Sequence, residues 1–122
     1  MGTAREFFAG STDGYRIYLA VADVVADVVA DLGPVEVRVS TSQIAFRRRR
    51  SFAYVWRPGT YVASDVPAVL SFALPRELSS PRFKEVAHPT PTVWMHHVEL
   101  RDAAQVDDEV RRWLASAYEA AG

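Results

Sequence analysis

Three histidines, His88, His96 and His97, are the residues of this chain suited to acid–base or metal chemistry. Adjacent side chains on a strand point to opposite faces, so His96 and His97 of the segment VWMHHVEL cannot both reach one ion. No HExxH motif or other compact ligand spacing accompanies them, which predicts no metal site. The alternation of Val98 and Leu100 sends Trp94 and His96 inward and Met95, His97 and Glu99 outward. His96 then reads as a hydrogen-bonded histidine beneath helices. His97 and Glu99, on a face shared with Arg38 and Arg47, form a candidate cluster for anion binding or proton transfer near neutral pH. A structural hydrogen-bond network is the plainer reading of the same residues.

The second chemical feature is the stretch QIAFRRRRSFAYVW, residues 43–56. It reads as two short strands joined by a turn carrying Arg47, Arg48, Arg49 and Arg50. Guanidiniums crowded on a tight turn repel one another, and phosphate would relieve that repulsion in a geometry arginine suits. With Arg38 and Arg57, residues 35–60 hold six arginines against Glu36 alone, whereas the whole chain has a formal net charge of −1. An acidic remainder argues against a domain devoted to nucleic acid, which is usually basic throughout. Lys84 is the lone lysine, so arginine is the chain's habitual cation and its presence signals less.

Other chemistries leave no trace. There is no cysteine, which excludes disulfides, thiolate catalysis and cysteine-ligated metals. No GxSxG elbow, P-loop or GxGxxG occurs, and no carboxylate pair stands out. The chain therefore shows no catalytic motif and implies no cofactor. Asp23, Asp27 and Asp31, spaced four apart, read as the wet stripe of a helix rather than a cation site. They also break the most apolar region, residues 15–32, so no membrane span is expected. No signal peptide is visible, which predicts a cytoplasmic protein.

The elements that must position these residues follow from period and punctuation. Thr3 and Glu6 have capping-box spacing for a short helix from Ala4, ended by Gly10. Ser11 to Asp13 offer N-caps for a longer one, with Tyr18, Ala22, Val25, Val29 and Leu32 on one face, widened by Val21, Val24 and Val28. Gly33 and Pro34 stop it. Strands are expected over 35–39, 43–47 and 52–56, with Tyr61 and Val62 extending an edge. Residues 69–74, apolar on both faces, read as a central strand. A brief strand over 83–86 should interrupt the proline-rich stretch before the last strand, 93–100. Val106, Val110, Trp113, Leu114, Ala117 and Tyr118 mark a closing helix, and Asp102 with Gln105 could cap an earlier turn.

That order predicts a single α+β domain over residues 1–122. Its fold should be a two-layer sandwich, a mostly antiparallel sheet of five or six strands with the N-terminal and C-terminal helices on one face. Phe52, Tyr54 and Trp56 share a face of their strand. Their area favours the core, which would put Arg57 outside with Arg38 and Arg47; the opposite placement would line the open face of the sheet with three aromatics.

Several segments in this order, EFFAG, LGPVEVRVSTSQIAFRRRRSFAYVW, SPRFKEV, MHHVEL and VDDEVRRWLASAYEAA, resemble a bacterial domain-of-unknown-function family, numbered fifty-six fifty-five. The resemblance covers most of the chain. It implies a domain found alone or fused to larger proteins, some with a restriction-type nuclease domain, and so mildly a nucleic-acid setting. It transfers no catalytic residue.

Three functions fit these features. The first is a non-enzymatic module binding an anionic ligand, nucleic acid foremost, through the arginine hairpin and the open sheet face. The second is a small-molecule pocket around Arg38, Arg47, His97 and Glu99. The third is a structural homodimer through exposed aromatics.

Overall fold

The computed structural model describes residues 2–30, 33–60 and 62–122. Asp31, Leu32 and Tyr61, which enter the expectations above, lie outside them. Helix α1 spans Ala4–Phe7 and α2 spans Thr12–Val29. Six strands follow: β1 Glu36–Val39, β2 Ile44–Arg47, β3 Ser51–Trp56, β4 Ala68–Leu74, β5 Phe83–Thr90 and β6 Val93–Leu100. Helix α3, Asp108–Ala120, ends the chain. The sheet is antiparallel throughout, in the order β1-β2-β3-β4-β6-β5. This is the expected α+β sandwich with six strands.

The helix boundaries obey local chemistry. The Thr3 hydroxyl accepts from Glu6 N–H while the Glu6 carboxylate takes the Thr3 N–H, closing the capping box. Gly10, at φ 81°, turns the chain where a side chain would be strained. Ser11 caps α2, Asp107 caps α3, and Asp102 with Gln105 caps a 3-10 turn at Ala103–Gln105. Ile17, Val21, Val25 and Val29 of α2 and Val110, Trp113, Leu114, Ala117 and Tyr118 of α3 are buried. Together these stripes form a layer over one sheet face, where they meet Ile44, Phe46, Ala53, Val55, Leu70, Phe72 and Val98. Asp27 on the wet side of α2 pairs with Arg111 of α3, so that stripe ties the helices together.

Two expectations fail for local reasons. Val62 extends no strand and is exposed. The strand predicted over 83–86 continues to Thr90 through Pro89, which an edge position tolerates. Central placement of β4 holds: six of its seven residues are buried between β3 and β6. Among the described residues, no helix is long and apolar enough to cross a membrane.

Candidate functional site: an aromatic cleft on the open face

The orientation of β3 decides what the open face carries. Phe46 pairs with Ala53, but Arg47 pairs with Ser51, leaving Phe52 as an extra residue in a β-bulge. The bulge turns Phe52 towards the helices, where its ring meets Tyr118 edge-on at 5.4 Å. Beyond it the alternation resumes with Ala53 and Val55 inward, opposite Phe72 and Leu70. Tyr54 and Trp56 therefore face outward, contrary to the expected core placement. Two large helix-side rings, Phe72 and Phe46, already flank Ala53, and a small residue fits between them.

One row of paired residues crosses the open face: Arg38, Ala45, Tyr54, Ser71, His97 and Glu85. Ala45 and Ser71 are its small members, and Ser71 forms a low floor between larger neighbours. An open depression of about 380 Å³ lies there, lined by Ser42, Gln43, Tyr54, Trp56, Ser71, Met95 and His97. Tyr54, Trp56, Met95 and His97 are half-buried.

A hydrogen-bonded chain runs through the floor. Trp56 Nε1 donates to Ser71 Oγ at 2.9 Å, and Ser71 Oγ lies 2.6 Å from His97 Nδ1. Indole N–H is a donor only, so Ser71 accepts from it and has its own proton to give to Nδ1. That assignment puts the single ring N–H of neutral His97 on Nε2. The indole also meets the imidazole edge-on at 6.3 Å. Burial holds the His97 pKa below its ordinary value, against the opposing charge of Glu85, its partner on β5. Ser71 is only 3% exposed and engaged on both sides, which suits a positioning residue and not a nucleophile.

His96, next in sequence, points the other way, as alternation requires. It is fully buried, stacked on Phe72 at 5.0 Å, and its Nε2 accepts the Leu78 N–H at 3.0 Å. Its Nδ1 has no hydrogen-bond partner among the described residues; backbone groups of Phe72 and Trp94 lie near enough to favour charge without bonding geometry. Burial dominates and lowers its pKa.

The arginines divide among different tasks. Arg48 Nη1 donates to the Tyr118 carbonyl at 3.1 Å, with its guanidinium 4.4 Å from the Tyr118 ring centre. Arg50 Nη2 donates to the Ala120 carbonyl at 2.6 Å. Both satisfy carbonyls in the last turn of α3, where the helix dipole favours cations. The turn thus gains stability that its sequence alone does not reveal. Arg57, expected on the outer face, instead donates to the carbonyls of Phe7 and Ala9 and clamps α1 to the sheet. Arg38 pairs with Glu36 at 2.7 Å, and Arg47 lies 4.0 Å from the same carboxylate. Arg49 is exposed and makes no hydrogen bond or ion pair among the described residues.

The expected cluster of Arg38, Arg47, His97 and Glu99 therefore shares a face but no site. Four strand spacings separate Arg38 from His97, roughly 19 Å. Glu99 pairs with Val69 in a different row from His97 and does not line the depression. Ser42, Gln43, Tyr54, Trp56, Ser71 and Met95 line the depression without having been among the candidate site residues. The one signal for Ser71 was a lone polar residue within the apolar strand AVLSFAL.

These features define a class: a two-layer α+β domain whose uncovered sheet face bears a half-buried aromatic cleft. Within that class, the chain belongs to the family described as Domain of unknown function (DUF5655), which it matches over residues 5–121. No curated protein and no solved structure matches it significantly.

Proposed function

We propose that this domain is a non-enzymatic binding module whose open sheet face takes a planar, negatively charged ligand, single-stranded nucleic acid foremost. The carrying observation is the outward placement of Tyr54 and Trp56 beside His97, in a depression also lined by Ser42 and Gln43. Rings held in this way on an uncovered sheet stack bases with little regard to sequence. Arg47, one outward step along β2 from Ala45, and exposed Arg49 in the β2–β3 turn supply cationic groups for phosphate beyond the depression. Arg48, Arg50 and Arg57 are engaged in holding helices and play no direct part.

The test is a fluorescence titration with a short single-stranded oligonucleotide at low salt. Binding should quench tryptophan emission, weaken steeply as salt rises, and fall about tenfold or more in Trp56→Leu and Tyr54→Leu. Arg47→Gln with Arg49→Gln should reduce the salt dependence. Equal, salt-independent binding by wild type and variants would overturn the reading. A mononucleotide bound as tightly as the oligonucleotide would favour the small-molecule alternative, with His97 as the hydrogen-bonding group.

A further inference from the structure

The two edges of the sheet are built differently. Edge strands expose unpaired backbone groups, and proteins blunt them with lysine, proline and bulges. Strand β5 has all three: Lys84, Pro89, and register shifts at Phe83/Glu85 and Ala87/Thr90. Strand β1 has none; its four residues pair with β2 in unbroken register from Glu36↔Arg47 to Val39↔Ile44. The Ser40 N–H donates inward to the Gln43 carbonyl at 2.9 Å. Backbone groups alternate along a strand, so those of Arg38 and Glu36 also face β2, while those of Val37 and Val39 face away from the sheet. Val37 is 43% exposed, and an open depression of about 580 Å³ lies along the strand between Gly2 and Glu36–Val39.

We propose that β1 is a self-association edge, pairing antiparallel with β1 of a second copy of this chain, Val37 opposite Val37. The sequence Val35-Glu36-Val37-Arg38-Val39 is its own complement in that register. Each Glu36 faces Arg38 of the second copy, each Val35 faces Val39, and the two Val37 residues exchange backbone hydrogen bonds. Sliding by one pairing step either way sets Glu36 against Glu36 or Arg38 against Arg38. Like charges directly opposite disfavour a pairing and opposite charges favour it, so one register is selected. The two-fold axis stands perpendicular to the sheet. It joins two six-stranded sheets into one, with both helical layers on one side and both aromatic clefts on the other. So short a paired edge buries less than the ~1,200 Å² of a stable complex, which makes the dimer reversible and dependent on concentration.

Charge reversal tests both the surface and the register, read by sedimentation equilibrium over a range of concentrations. Arg38→Glu places Glu36 opposite a glutamate twice and should weaken association about tenfold or more relative to wild type. Glu36→Arg with Arg38→Glu exchanges the charges across the seam, and Arg47→Glu keeps position 36 opposite an opposite charge on β2; this full exchange restores both pairs and should return association towards the wild-type level. Val37→Pro removes an outward N–H that the folded monomer does not use and should abolish the dimer while the circular dichroism spectrum is kept. A chain that stays monomeric at the highest concentrations overturns the proposal. So does association unaffected by Arg38→Glu and Val37→Pro, or not restored by the full exchange.

Discussion

Trp56 Nε1 donates to Ser71 Oγ at 2.9 Å, which fastens the wall of the cleft to its floor. The two residues lie on neighbouring strands in adjacent rows, with Ser71 opposite Tyr54 and Trp56 opposite Val69. Ser71→Ala removes this partner and the one at His97 Nδ1 together. Loss of a buried hydroxyl so engaged should cost about 1–3 kcal/mol in urea unfolding. It should also broaden the Trp56 environment, seen as a red-shifted emission maximum in the folded protein. Unchanged stability and emission would show that the indole is held by its ring contacts alone.

The arginine turn should separate into residues that hold α3 and one that does not. Arg48→Ala loses a hydrogen bond to the Tyr118 carbonyl and a cation over the Tyr118 ring, and should cost about 1–2 kcal/mol. Arg49→Ala should stay within about 0.5 kcal/mol of wild type. Chemical denaturation of the two variants side by side measures the difference.

Gly14 reverses the usual helix rule. Alanine there would gain propensity in α2, but its Cβ would lie 2.6 Å from Phe8 Cδ1 and 2.8 Å from Ser11 Oγ. Phe8 is buried and its ring has little room to withdraw. Overpacking should outweigh propensity, so Gly14→Ala is expected to destabilise by about 1–3 kcal/mol. A raised melting temperature would contradict this.

Stability should fall with acid in two separate windows. The folded-state pKa of His96 is depressed from its ordinary 6.5 by burial. Its contribution is complete above that value and is lost as pH falls from there towards the folded pKa, because the unfolded chain takes the proton first. His97 shifts in the same direction. Urea midpoints should therefore decline as pH falls through about 6.5, with a shallower slope in His96→Gln. Asp107 acts lower. Burial works against its charge, but the Val110 N–H and Arg82 outweigh it and depress its pKa below 3.8. Its contribution is present above 3.8 and disappears as pH falls below that, a step that Asp107→Asn should lack.

Much of the frame was legible because it is local. Capping boxes at Thr3 and Asp102, the valine stripe of α2 and the alternation in β6 all depend on residues within a turn or two of one another. Period two was enough to send His96 and His97 to opposite faces. The stripe on α2 is centred on Ile17, Val21, Val25 and Val29, one position from the face read through Ala22, because contact with α3 and the sheet selects among adjacent apolar rows.

The site was less legible because each of its decisions is non-local. Nothing between Arg50 and Trp56 announces that Phe52 is the extra residue; the bulge follows from how β2 and β4 hold Ala53 between Phe46 and Phe72. That slip sends Tyr54 and Trp56 outward. Arg48 and Arg57 meet carbonyls about seventy and fifty residues away, contacts for which no spacing rule exists. The sequence by itself determined the α+β architecture, the two helical stripes and the opposition of His96 to His97, since period and capping act over a few residues. Tertiary structure alone decided which rings line the cleft, which arginines serve the fold and how Ser71 joins Trp56 to His97, since those depend on register between strands distant in the chain.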